Sequence, residues 1–99
     1  MFVMELTYTA PLEAVEEQMD AHIAWLDVHY AAGVFLASGR KVPREGGVIL
    51  AGGVSREEVE AIAAGDPFAV AGVCAYRITE FLATKTSADL ATVRENPAA

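Results

Sequence analysis

The apolar residues of this 99-residue chain repeat first with a period of two and then with a helical period, and the order of those switches admits few folds. Phe2, Met4, Leu6 and Tyr8 alternate with Val3, Glu5, Thr7 and Thr9, which predicts a strand over residues 2–9. Pro11 suits the first turn of a helix, where its missing N–H costs nothing. Leu12, Val15, Met19, Ile23, Leu26 and Tyr30 then step by three and four, so one helix is expected as far as Ala32, with Gly33 as its stop. Residues 34–38 read as a second strand, 39–47 as a connection and 48–51 as a short buried third strand. Ser55 and Glu58 form an S-x-x-E capping box for a second helix that carries Val59 and Ile62 and ends near Gly65. Asp66-Pro67-Phe68 supplies a fresh N-cap, an N1 proline and a short turn. Residues 73–82 read as the fourth strand. After Lys85 the apolar content thins, and residues 96–99 are expected to fray. The expected organisation is one domain over 1–85 and a tail over 86–99.

The order β-α-β-β-α-β is the ferredoxin-like split βαβ arrangement of α+β proteins. Its two helices cover one face of a four-stranded antiparallel sheet. The fourth strand nevertheless carries apolar groups on both faces: Cys74, Tyr76, Ile78 and Leu82 on one, Val73, Ala75 and Phe81 on the other. A strand that is apolar on both sides needs cover on both sides. Hydrophobic residues make up 54% of the chain, but 19 of them are alanine, so the core is modest. A domain this small buries only about two-thirds of its surface. A homodimer with facing sheets is therefore expected.

Charge narrows the partners. Six carboxylates and no Lys or Arg precede Arg40, whereas seven cations face eight carboxylates after Gly39. The net charge of −7 repels phosphate backbones, which argues against nucleic acid as a partner. There is no polybasic stretch for anionic lipid, no basic leader and no apolar run near about 18 residues, so no membrane association is expected. The lone Cys74 excludes an internal disulfide and suits a reducing, cytoplasmic setting.

His22 is the most informative single residue. At about 100° per residue it lies roughly 60° from the centre of the apolar stripe, on the flank of the buried face. It reads either as a boundary histidine bonded to a backbone carbonyl or as an acid/base group at a cleft. His29, seven residues on, is about 10 Å away along the axis, too far to share one ion, so no metal site is expected. It reads as a solvated residue near the helix end. Asp27 points about 140° away around the helix from His22 and cannot orient it. A carboxylate partner must come from elsewhere, and Asp66 is the candidate. Asp before Pro is also a good N-cap, and both roles can coexist. Arg40, Lys41 and Arg44 follow Ser38-Gly39 in a loop that could clamp an anion or simply neutralise the acidic helix. Trp25 lies about 120° off the stripe, which reads as an exposed interface or pocket wall. No phosphate-binding glycine fingerprint, nucleophile elbow or paired-cysteine motif is present. Cys74 reads as packing.

Several of these segments together resemble the YciI-like, or YCII-related, family. The resemblance spans residues 2–85. It rests on Ala21-His22 with Trp25-Leu26, on Gly33 and Phe35-Leu36-Ala37-Ser38-Gly39, on Gly47-Val48-Ile49-Leu50, and on Asp66-Pro67-Phe68 with Ala71-Gly72. It implies a dimeric α+β barrel of ferredoxin-like subunits. By position it also implies a His–Asp pair, with His22 as the acid/base and Asp66 as the orienting carboxylate. One branch of the family includes a dehydrochlorinase acting on a chlorinated hydroxyquinol. Where the family often has Gly-Pro after the second strand, this chain has Gly39-Arg40, which points to a more anionic ligand or to none.

The expected activity is a small acid/base enzyme that isomerises or eliminates beside a carbonyl or phenol and uses no cofactor. An imidazole suits this because its ordinary pKa, about 6.5, lets it exchange protons at neutral pH. Ser38, Gly39, Arg40 and Arg44 are the candidate ligand-binding residues for a small aromatic or anionic metabolite. The competing readings are a non-catalytic ligand-binding module and an accessory subunit that docks a partner protein through its sheet or Trp25.

Overall fold

Alternation over Phe2–Tyr8 builds β1, whose inward side chains Phe2, Met4 and Leu6 are buried while Val3 and Glu5 are half-buried. The computed structural model describes residues 1–97. After β1 come α1 (Leu12–Glu17), α2 (Met19–Ala31), β2 (Phe35–Arg40), β3 (Gly46–Ala51), α3 (Arg56–Ala64), α4 (Pro67–Val70) and β4 (Cys74–Glu80). A 3-10 helix, Ala88–Val93, follows. The sheet order is β2-β3-β1-β4 with every pair antiparallel. This is the ferredoxin-like α+β architecture that the alternating periods predict.

The central strand is β1, where Met4 lies opposite Ile49 of β3 on one side and Ile78 of β4 on the other. The inward faces of the sheet meet Val15 of α1, Val59 and Ala63 of α3 and Phe68 of α4 in one core. Burying one such larger side chain stabilises by about 1.5–3 kcal/mol. The opposite face carries Val3, Glu5 and Thr7 of β1, Val48 and Leu50 of β3, and Ala75 and Arg77 of β4, by the same alternation. No described helix covers it. Lys41 lies across that face, with Nζ 2.9 Å from Glu5 Oε1 and 3.1 Å from Thr7 Oγ1.

The expected caps form. Ser55 Oγ accepts from the Glu58 N–H at 3.1 Å, and Gly33, at φ 76°, ends α2. There the Val34 N–H donates to His29 O and the Gly33 N–H to Tyr30 O, each at 3.0 Å, the paired bonds of a Schellman stop.

Two differences from expectation bear on the site. The first helix is interrupted at Gln18, whose φ of −99° and ψ of 0° leave the helical region. The break lets α2 roll independently of α1. Its inward residues are consequently His22, Trp25, Leu26 and His29, all half-buried, while Ile23 and Tyr30 are 47% and 37% exposed. The second difference is that β2 runs on through Gly39-Arg40 and β3 starts at Gly46, inside the expected connection. Gly39 pairs opposite Val48 and Arg40 opposite Gly47. Backbone pairing extends the strand where side-chain pattern is silent.

Gly46 stands opposite Thr7, and a Cβ built on it would be driven into the Leu6 carbonyl oxygen. Gly46→Ala is expected to lose about 2–3 kcal/mol of stability, because β1 or β3 must shift. A lower urea midpoint with unchanged slope would register this. An unchanged midpoint would refute the close approach of the two strands.

Beyond the sheet, Glu95 ties the last described segment to Met1. Its two carboxylate oxygens accept from the Met1 amino group, each at 2.8 Å, and Oε1 also accepts from the Ala83 N–H at 2.8 Å. The Met1 ammonium and that N–H hold the Glu95 carboxyl below its ordinary value. Of the end expected to fray, Ala98 and Ala99 lie outside the described residues.

Candidate functional site

The chain leaves α3 at Gly65 and must restart at once, because Pro67 is pre-set for the first helical position of α4. Asp66 is the N-cap of that short helix, and its Oδ1 accepts from the Phe68 N–H at 2.9 Å. The side chain is fully buried. A buried carboxylate needs several donors to stay ionised. Asp66 has two beyond the cap: His22 Nδ1 of α2 lies 2.8 Å from Oδ1, and Tyr76 Oη of β4 donates to Oδ2 at 2.5 Å. An ionised carboxylate only accepts, so Nδ1 is the ring nitrogen that carries hydrogen. The other, Nε2, has no hydrogen-bond partner among the described residues.

The His22 ring is clamped as well as paired. It stacks on Phe68 at 3.9 Å between centroids and 7° between planes, and Trp25 flanks it at 5.5 Å. Trp25 itself is half-buried and its indole N–H donates to Ile62 O at 3.2 Å, which corrects its expected exposure. The roll of α2 turns it toward α3 and the core. His29, expected in solvent, packs between Trp25 at 5.4 Å and Phe35 at 5.1 Å. Trp25 thus separates the two histidines. Among the described residues, no three of His, Cys, Asp and Glu converge as a metal-ligand set.

His22 lines a cleft of about 370 Å³ between α2 and the sheet. Leu6, Tyr8, Ile49 and Phe68 form an apolar part of its wall. Ser38, Gly39, Arg40 and Arg44 line the same cleft, so all four candidate binding residues share one space with the histidine. The extension of β2 explains this for Gly39 and Arg40, because it carries them along the sheet beside Ser38 instead of away in a loop. Tyr30 Oη and Ser38 Oγ are 2.6 Å apart. Arg44 pairs with Glu16 at 3.3 Å, whereas Arg40 makes no ion pair among the described residues. The rim is thus positive, with Arg40 available to a ligand.

Sequence reasoning missed Tyr76 and the stacking role of Phe68. The alternation of β4 places Tyr76 with Cys74 and Ile78 on the inward face, but nothing in that pattern says which inward residue meets Asp66. Burial, with the Asp66 carboxylate beside it, holds the Tyr76 phenol far above its ordinary range, so it remains a donor. Burial and Asp66 likewise push the Cys74 thiol from 9.0 up to about 11. At pH 8 its thiolate, and hence its alkylation by iodoacetamide, is expected to be about a hundredfold lower than for a thiol of ordinary value. Rapid labelling followed by mass spectrometry would contradict this.

A solved structure of 5-chloro-2-hydroxyhydroquinone dehydrochlorinase from Burkholderia phenoliruptrix AC1100, in complex with 2,5-dihydroxybenzoquinone, is similar in fold. The TM-score is 0.68 at 20% identity, over 82% of this chain and 93% of that one. A search of curated proteins gave no match. The profile of the YCII-related domain matches residues 1–82, so the chain belongs to the YCII-related family.

Proposed function

We propose that the protein is a cofactor-independent acid/base enzyme acting on a small, oxygenated and anionic metabolite. The observation that carries this is the buried Asp66 carboxylate 2.8 Å from His22 Nδ1, with the same histidine lining a cleft rimmed by Arg40 and Arg44. Nε2 accepts a proton from carbon beside a carbonyl or phenol. The C–H electron pair forms a carbon–carbon double bond as the carbonyl π pair moves onto its oxygen, giving an enolate. In elimination the oxygen's pair returns and the shifting double bond expels the leaving group as an anion; in isomerisation the imidazolium gives its proton back at another carbon of the enolate. Asp66 holds the tautomer and stabilises the imidazolium. Arg40 pairs with the substrate's negative oxygens, and Ser38 offers a neutral hydrogen bond. The chlorinated hydroxyquinol named for the similar dehydrochlorinase fits this chemistry, which supports the choice of class.

The test is a panel of hydroxyquinones and hydroxybenzoates, with 2,5-dihydroxybenzoquinone as the first probe. Titration calorimetry reads binding, and absorbance reads turnover of the chlorinated members. Binding that weakens in Arg40→Ala, with turnover, is the expected result. Binding without turnover would make the protein a ligand-binding module. No binding by any member would remove the proposed substrate class.

The uncovered sheet face supports a homodimer. Leu50 lies opposite Val3 there, and Val48 is next to it on the same face of β3, so the three make an apolar patch. Sedimentation is expected to give twice the 10.5 kDa chain mass, and Leu50→Lys to shift it toward the single mass. A native monomer at micromolar concentration would exclude the facing-sheet arrangement. The single cysteine supports a cytoplasmic setting.

A further inference from the structure

We propose that Tyr76 is a positioning residue of this site: its hydroxyl fixes the Asp66 carboxylate so that Oδ1 meets His22 Nδ1 and Nε2 is left as the base. The proposal rests on the reading of His22 as the proton-transfer group.

Asp66 is wholly buried, so its hydrogen bonds set its orientation. A carboxyl torsion is intrinsically broad. The Phe68 N–H at 2.9 Å holds only Oδ1, the oxygen that His22 also uses. Tyr76 holds Oδ2, and with that oxygen pinned the carboxylate plane is fixed. The two side-chain partners reach it from different elements, His22 from α2 and Tyr76 from β4. Tyr76 lines a separate hollow of about 250 Å³, with Glu60, Ala63, Ala69 and Cys74, and does not line the His22 cleft. A ligand beside His22 therefore leaves Tyr76 untouched, which makes its role positioning and not binding.

Without the hydroxyl, Oδ2 becomes a buried, unpaired anionic oxygen. Relief comes from turning the carboxylate or from admitting a water or a proton. Each of these competes with the Nδ1–H bond. The neutral imidazole then loses its bias toward the Nδ1–H tautomer.

Long-range proton–nitrogen NMR of ¹⁵N-labelled protein reads that bias directly, at a pH where the ring is neutral. Native protein is expected to favour the Nδ1–H tautomer by about tenfold or more, and Tyr76→Phe to lower that preference at least about threefold. Cys74→Ala alters the same hollow without touching a bond to Asp66, and is expected to keep the native pattern. A para-aminophenylalanine at position 76, which restores a donor, is expected to recover it. An unchanged tautomer in Tyr76→Phe overturns the role of Tyr76 alone. The same loss in Cys74→Ala, or no recovery with the amino analogue, assigns the effect to packing and also overturns it. A native ring with its hydrogen on Nε2 removes the acid/base reading itself.

Discussion

An Asp66→Ala variant is expected to unfold about 15–30 °C below the native protein. Three buried donors lose their acceptor at once: the Phe68 N–H, His22 Nδ1–H and the Tyr76 hydroxyl. Losing an N-cap alone costs about 1 kcal/mol. Each buried donor left unpaired costs about 1–3 kcal/mol, and partial relaxation keeps the sum near 3–5 kcal/mol. A domain of this size shifts by about 5–6 °C per kcal/mol in mid-range, which gives about 15–30 °C. Asp66→Asn is the informative contrast. Its carbonyl oxygen still accepts from Phe68 and His22, and its amide N–H can donate to a Tyr76 oxygen that has turned acceptor. The expected loss is about 1–2 kcal/mol, although the charge that stabilises an imidazolium is gone. Scanning calorimetry of the two variants separates the structural role of Asp66 from its electrostatic one. Equal and small losses would mean that the carboxylate is not the hub the geometry describes.

The second large effect is on turnover. His22→Gln is expected to lower kcat by about 10²–10⁴-fold in the proposed reaction, the span that positioned acid/base groups supply. Binding of the same compound is expected to stay within about threefold, because Arg40, Ser38 and the apolar wall are untouched. Single-turnover kinetics beside titration calorimetry measures both. If kcat survives while affinity collapses, His22 is a binding residue and proton transfer lies elsewhere.

Much of the fold was legible in the chain because local chemistry and tertiary demand agree there. The alternation of Phe2, Met4, Leu6 and Tyr8, the Ser55 cap and the Gly33 stop each name their structure without help. Legibility failed where a local pattern was weak or averaged. The helical stripe from Leu12 to Tyr30 was measured as one helix, so the break at Gln18 rotated every angle beyond it. Trp25 and His29 turned inward as a result. Gly39-Arg40 has no apolar period, so only its pairing with Val48 and Gly47 could make it strand.

The candidate site divides in the same way. Residue types and order suffice to nominate His22, to mark Asp66 as a cap, and to collect cations after β2. Family resemblance joins the histidine to the aspartate. Their 2.8 Å contact, however, spans 44 residues of chain. No periodicity reaches across that interval, because helical and strand periods carry information over one element only. The meeting of α2 with the start of α4 depends on how both pack against β1 and β4. The same packing brings Tyr76 onto Asp66 from behind and turns Arg40 into the cleft. The sequence by itself determined the elements, their order and the chemistry available. The tertiary structure decided which groups face one another, since that depends on packing between elements distant in the chain.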